Sequence, residues 1–172
     1  MRRFQLNKYF SFALLLVPLL LLVSSCGFQM RGAYQLPTAM QTTFVDTSGV
    51  AESSALRRVM IRRLKASNIK IIDSSVDDAA VLTLSREQKT KRIISVDSRG
   101  RAREYTLTYA ISFNVKALDA NFEIEDQEVR INRDFVFDTE DVLGNSREES
   151  KLFEEMQQDV IRLILLRLQS KA

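Results

Sequence analysis

The sequence lacks histidine and contains a single cysteine, Cys26, among its 172 residues. One cysteine cannot form an intrachain disulfide, and without histidine the chain has lost the commonest metal ligand and general base. Its serines, aspartates and lysines are scattered without a nucleophile motif such as G-x-S-x-G. We therefore expect no catalytic residue, no metal site and no bound cofactor, and we do not expect an enzyme.

The first 25 residues have the composition of an export signal. Residues 1–8 carry three basic side chains and no acid, and residues 10–23 are apolar apart from Ser11. Ser24 and Ser25 supply the small residues that precede a cleavage site. The apolar stretch is shorter than the roughly 20 residues that a membrane-spanning helix needs. Residues 1–25 are therefore predicted to be removed, and a permanent transmembrane anchor is the weaker alternative.

The cysteine that follows the signal has the context of a lipidation site. Val23-Ser24-Ser25-Cys26 resembles the lipobox of bacterial lipoproteins, with valine where leucine is usual. The resemblance implies that Cys26 becomes the first mature residue and carries a diacylglycerol group and an N-acyl chain. Gly27 replaces the aspartate that favours inner-membrane retention, which implies transfer to the outer membrane. The alternative is a chance cysteine after an ordinary secretory signal.

Charge is balanced in the mature chain but unevenly distributed. Residues 26–172 hold 22 basic and 22 acidic side chains, so the positive charge of the precursor belongs to the signal. Domains that bind nucleic acid normally carry a net basic charge, so we do not expect a nucleic-acid partner. Residues 27–103 carry 14 basic and 7 acidic side chains, whereas residues 104–172 carry 8 and 15.

Periodicity predicts one α+β domain over residues 26–172, with a lead at residues 26–38. Apolar residues alternate with polar ones from Tyr105 to Ala117, which indicates a half-buried strand. Other strands are predicted at residues 40–46, 69–72, 80–96 and 122–137, with turns at 47–49 and at 98–101 around Gly100. One helix is predicted from Ser53 or Ser54 to a stop at Asn68. Another is predicted to follow an acidic loop at 138–145 and to begin at a Ser146/Glu149 capping box.

This order of elements favours a largely antiparallel sheet with both helices on one face. The opposite face would then carry threonine, serine, asparagine and charged side chains.

The residues after the lipobox carry a family resemblance. Cys26-Gly27-Phe28-Gln29-Met30-Arg31-Gly32 resembles the mature start of the LptE family of LPS-assembly lipoproteins. The likeness continues through the Gly100 hairpin, the strand end at residues 133–137 and the amphipathic C-terminal helix. It implies a mixed four-stranded sheet with two helices on one side. It also implies a chain held by its lipid on the periplasmic side of the outer membrane, with its body in the lumen of the β-barrel LptD, where it helps the barrel assemble and binds LPS.

Basic side chains are the candidate LPS-binding residues, because arginine forks pair with phosphate oxygens and lysine acts as a mobile point charge. The candidates at the hairpin tip are Arg99, Arg101 and Arg103, and those along the preceding strand are Arg86, Lys89 and Lys91. A solvated hairpin with ordinary surface charge is the alternative.

Two further alternatives remain open. The basic run from Arg57 to Lys65 is either the solvated face of an amphipathic helix or a contact with an acidic barrel wall. The whole protein could instead be a free envelope lipoprotein on the periplasmic face, acting as a lipid or assembly chaperone without a barrel.

Overall fold

The computed structural model describes residues 34–51, 54–75, 79–117, 121–138 and 140–172. The predicted signal, Cys26 and the lead as far as residue 33 lie outside the described residues. Within the described residues, neither helix is long and apolar enough to span a bilayer. After a 3₁₀ turn at Thr38–Met40, the elements are β1 (Thr42–Gly49), α1 (Leu56–Ala66), β2 (Lys70–Ile72), β3 (Ala80–Val96), β4 (Ala102–Ala117), β5 (Phe122–Val136) and α2 (Val142–Gln169).

The sheet is mixed and has the strand order β2-β1-β3-β4-β5. β1 pairs in parallel with both β2 and β3, and β3, β4 and β5 form two successive antiparallel hairpins. The α+β class is confirmed. The sheet has five strands rather than four, because Lys70–Ile72 pairs in register with the start of β1.

Both helices cover the same face of the sheet, as the sequence predicts. Alternate residues of β4 from Leu107 to Val115 are fully buried on this face, which confirms the period-two pattern. The buried side chains that the helices contribute are Leu56, Met60 and Leu64 from α1, and Met156, Val160, Ile161, Ile164, Leu165 and Leu168 from α2.

The end of α1 confirms the predicted stop at Asn68. Asn68 has a φ of 62°, and its N–H donates to the Lys65 carbonyl at 3.1 Å. The Ile69 N–H donates to the Leu64 carbonyl at 3.2 Å, which completes a Schellman motif. The Tyr34 N–H donates to the Ser67 hydroxyl at 3.0 Å, so the chain arriving from the N-terminal side is fastened to this end of α1.

Two predicted boundaries are wrong. α2 begins at Val142 rather than at Ser146, because the Asp141 carboxylate accepts a hydrogen bond from the Gly144 N–H at 2.8 Å and caps the helix one turn earlier. A side chain at Gly144 would overlap that carboxylate. The predicted break at residues 47–49 is also absent, since β1 continues through irregular pairing until Gly49 lies against Ser85 of β3.

Candidate functional site

The hairpin between β3 and β4 forms the tip of the sheet. The Asp97 N–H donates to the Arg101 carbonyl at 2.8 Å, and the Gly100 N–H donates to the Asp97 carbonyl at 2.9 Å. Gly100 has a φ of 76°, a conformation that side chains disfavour. The predicted turn therefore forms where expected, and it presents Arg99 and Arg101 on a tight loop.

Asp97 organises this turn through its side chain. Its Oδ1 accepts hydrogen bonds from the N–H groups of Arg99 at 2.8 Å and Arg101 at 2.9 Å, and its Oδ2 lies 2.8 Å from the Arg101 guanidinium. The hydrogen bond from the Arg101 backbone is the main reason that the pKa of Asp97 lies below its usual value. Arg101 is thus partly committed to holding the turn.

Arg99 and Arg103 remain as exposed cations at the tip. Neither forms an ion pair with an acid in the part of the chain that the structure describes. Large apolar side chains are exposed at the same end of the sheet: Ile93 (53%), Ile94 (44%), Val96 (58%) and Val136 (63%). Cations beside exposed aliphatic groups suit a ligand that carries both phosphates and acyl chains. These exposed aliphatic side chains were not predicted from the sequence as part of the site, although the apolar end of the predicted strand at residues 80–96 indicated them.

A cleft of about 370 Å³ lies beside the tip, between the hairpin and the connection from β5 to α2. The buried Asn145 side chain holds this connection by accepting from the Asp138 N–H at 3.0 Å and donating to the Asp138 carbonyl. Both signs of charge line the cleft, so it offers donors and acceptors to a polar head group. Its lining residues are Asp97, Arg101, Arg103, Val136, Phe137, Asp138 and Glu140.

Lys91 lies on the helix side of β3 and is occupied within the fold. Its Nζ is 2.5 Å from a Glu149 carboxylate oxygen of α2 and 4.1 Å from the centre of the Tyr105 ring. The rings of Phe135 and Phe137 lie within 6 Å of the same ammonium. The ion pair joins β3 to α2, and the cation–π contacts place the same ammonium against the aromatic rings.

Arg86 lies in the β-bulge between Ser85 and Gln88 of β3, and Lys89 follows this bulge, both far from the tip. Arg86 has a φ of 54°, pairs with Asp126 and donates from Nε to the Ser112 hydroxyl at 3.0 Å. The Lys89 ammonium lies 3.6 Å from Glu87. At about 3.3 Å per strand residue, Arg86 is roughly 35 Å from the hairpin turn. The structure therefore brings together the three tip arginines and separates them from Arg86 and Lys89.

Comparison with known proteins identifies the family. The sequence profile of LptE, described as lipopolysaccharide-assembly, matches residues 40–168. The chain belongs to the LptE family. It is 25% identical over 158 residues to an LPS-assembly lipoprotein LptE from Pectobacterium atrosepticum, covering 91% of this chain and 84% of the relative. A relative with the same name from Photorhabdus laumondii is 25% identical, with 90% and 83% covered.

Solved structures agree with this assignment. The chain resembles the rare lipoprotein B from Shewanella oneidensis with a TM-score of 0.66 and 29% identity, over 76% of this chain and 95% of that one. It resembles lipoprotein B from Nitrosomonas europaea with a TM-score of 0.64 and 25% identity, over 81% and 88%. The chain is therefore a member of a family of LPS-assembly lipoproteins, which is not a known enzyme family.

Proposed function

We propose that this chain is an outer-membrane lipoprotein that binds LPS and acts as the plug and assembly partner of the β-barrel LptD. Membership of the LptE family supports the partner and the location. The observation that carries LPS binding is the composition of the sheet tip, where Arg99 and Arg103 stand beside exposed isoleucine and valine side chains. Lipid A presents phosphates next to acyl chains, so one surface of this composition contacts both.

The three tip arginines have different roles in this proposal. Arg99 and Arg103 pair directly with phosphate oxygens, because no acid in the described structure engages them. Arg101 contributes mainly by holding the turn through Asp97, and it presents its remaining donors toward the cleft. The proposal therefore assigns the larger part of head-group recognition to Arg99 and Arg103.

LPS affinity of the mature chain tests the binding part. The double change R99E/R103E should weaken binding by at least about a hundredfold, because each of the two lost charge-assisted contacts contributes about 1.5–3 kcal/mol. The matched control is R147E/K151E, which reverses two exposed cations on α2. Equal affinity of the tip variant and the parent would remove the hairpin from the binding site.

Co-purification tests the barrel part. The lipidated chain is isolated from solubilised outer membranes, and its partners are identified by mass spectrometry. A stoichiometric large β-barrel is the expected result. Recovery of the chain without any such barrel would refute the plug function and favour a free envelope chaperone. Intact mass of the same sample reports whether Cys26 carries the diacylglycerol and N-acyl groups.

A further inference from the structure

Helix α1 concentrates positive charge without any acidic neighbour on the helix. Five of its 11 residues are basic and none is acidic. We call the exposed side chains of Arg58, Arg62, Arg63 and Lys65 the basic face. No acidic oxygen of the described residues lies within 4.0 Å of these cations. The opposite side of the helix packs into the core, so the basic face is turned away from the rest of the domain.

The stability of the helix does not explain this arrangement. Basic residues in the last turn, here Arg63 and Lys65, interact favourably with the helix dipole by less than about 1 kcal/mol each. Arg58 and Arg62, however, are like charges four residues apart, which repel each other. Repulsion that no acid of the helix relieves suggests that an external anion neutralises the basic face.

The basic face ends at the opposite end of the sheet from the hairpin tip. Lys70, just after α1, pairs with Thr42 at the start of β1, and the next residue of β1 pairs with Ala80 at the start of β3. β3 then runs 17 residues to the tip, a distance of about 50 Å at roughly 3.3 Å per residue. The basic face is therefore a separate surface from the proposed LPS site.

The covalent chain links this end of α1 to the predicted lipid anchor. The backbone of Tyr34 is hydrogen-bonded to Ser67, the residue that caps the C-terminal end of α1. Tyr34 is the eighth residue after Cys26. An extended chain spans at most about 3.6 Å per residue, so a segment of this length reaches at most about 29 Å. Acyl chains on Cys26 would hold the basic face close to the leaflet that contains them.

We infer that the basic face of α1 binds the anionic phospholipid surface of the leaflet in which Cys26 is anchored. Arginine and lysine near an anionic membrane each contribute about fivefold to binding. Guanidinium groups also form two-point contacts with phosphate. The face thus supplies a second attachment beside the acyl chains. The inference rests on the lipid anchor of the proposed function, and it requires neither the barrel nor LPS.

Vesicle binding tests the inference. The full mature chain carrying C26A, which removes the acyl chains, is mixed with phosphatidylcholine vesicles or with vesicles in which phosphatidylglycerol replaces roughly a third of that lipid. Binding is expected only to the anionic vesicles and should weaken as salt rises. The variant R58Q/R62Q/K65Q should bind them about a hundredfold more weakly, since glutamine preserves the helix. The control R147Q/K151Q/R162Q removes three exposed cations of α2 and should bind like the parent.

Three results would overturn the inference. The first is equal binding to neutral and anionic vesicles, and the second is an equal loss in the two triple variants. The third is a triple variant of α1 that binds vesicles like its parent but no longer co-purifies with a barrel, which would assign the basic face to an acidic barrel wall. Charge-dependent vesicle binding by a chain that brings down no barrel would instead uphold the inference while the plug function fails.

Discussion

The buried hydroxyl of Tyr109 offers the sharpest test of how the sheet is joined to its helices. The ring is fully buried, and its hydroxyl donates to the Glu87 carboxylate at 2.5 Å and accepts from the Gln157 amide at 3.3 Å. The Glu87 side chain is only 7% exposed. The Ser54 hydroxyl, next to α1, donates to the same carboxylate at 3.1 Å. The network therefore joins β3, β4 and both helix regions.

We expect Tyr109→Phe to lower the free energy of unfolding by about 2–3 kcal/mol. The ring and its packing remain, but a buried carboxylate loses a charge-assisted hydrogen bond, which contributes about 1.5–3 kcal/mol. Urea unfolding should show a lower midpoint with an unchanged m-value. Tyr105→Phe is the control, because the Tyr105 hydroxyl makes no hydrogen bond within the described residues and its loss should change stability by less than about 0.5 kcal/mol. A loss as small for Tyr109→Phe would refute the network.

Alkaline unfolding provides a second measurement on the same residue. Burial, reinforced by the Glu87 hydrogen bond, raises the pKa of Tyr109 above its usual value. The folded state therefore keeps this proton where the unfolded state loses it. The contribution of the neutral Tyr109 hydroxyl to the free energy of unfolding is complete below about pH 10. Above that pH it declines by about 1.4 kcal/mol per pH unit. Parent and Tyr109→Phe should converge in stability above that pH, and parallel curves would contradict the raised pKa.

Three other substitutions test the tip, the ion pairs and the helix cap. Asp97→Ala should accelerate hydrogen exchange of the two turn amides without changing global stability. In the parent the same acceleration should appear as the pH falls through the lowered pKa of Asp97, because protonation weakens the carboxylate as an acceptor. Protection that does not change with pH would contradict the role of the Asp97 carboxylate in the turn. Arg133→Ala removes two partly exposed ion pairs to α2, of 2.6 and 2.7 Å, and should lower the free energy of unfolding by about 1–2 kcal/mol. The loss should be smaller at high salt, because salt screens exposed charges. A loss that does not depend on salt would point to packing instead. Asp141→Ala should lower the free energy of unfolding by about 1 kcal/mol and fray the first turn of α2. Unchanged hydrogen exchange of the amides in that turn would reject Asp141 as the cap.

Local patterns were enough to predict most of the elements. The period-two run of β4 specifies which side chains enter the core, because neighbouring residues of a strand point to opposite faces. Asn68 marked the end of α1, since asparagine tolerates the left-handed conformation that a helix stop requires. The bounds of β3 at Ala80 and Val96 also agree with the sequence, where its apolar ends flank a polar centre.

Features that depend on distant partners were not predictable. Asp141 and Ser146 are both good caps. The earlier start at Asp141 accompanies the hydrogen bonds between Asn145 and Asp138, which lies in the connection after β5. The sequence shows that Lys91 is basic, but not that Glu149, 58 residues later, lies against it. The bulge at Arg86 is also hidden, because its positive φ has no sequence signal in an arginine. The sequence therefore identified the candidate residues by their charge, and the structure showed which of them are ion-paired within the fold.

The uneven charge of the chain acquires a physical meaning from these pairings. Two ion pairs, Arg86–Asp126 and Lys91–Glu149, join the basic first half to the acidic second half, so part of the asymmetry stabilises the fold. The cations that the described acids leave unpaired include two groups about 50 Å apart, namely Arg99 and Arg103 at the hairpin tip and the basic face of α1. One group adjoins exposed aliphatic side chains, and the other adjoins the tether to the predicted lipid anchor. If each group binds its own phosphate-bearing partner, tip variants should lose LPS affinity and keep vesicle binding, while α1 variants should do the reverse. A loss of both activities from either set would mean that the two surfaces act as one.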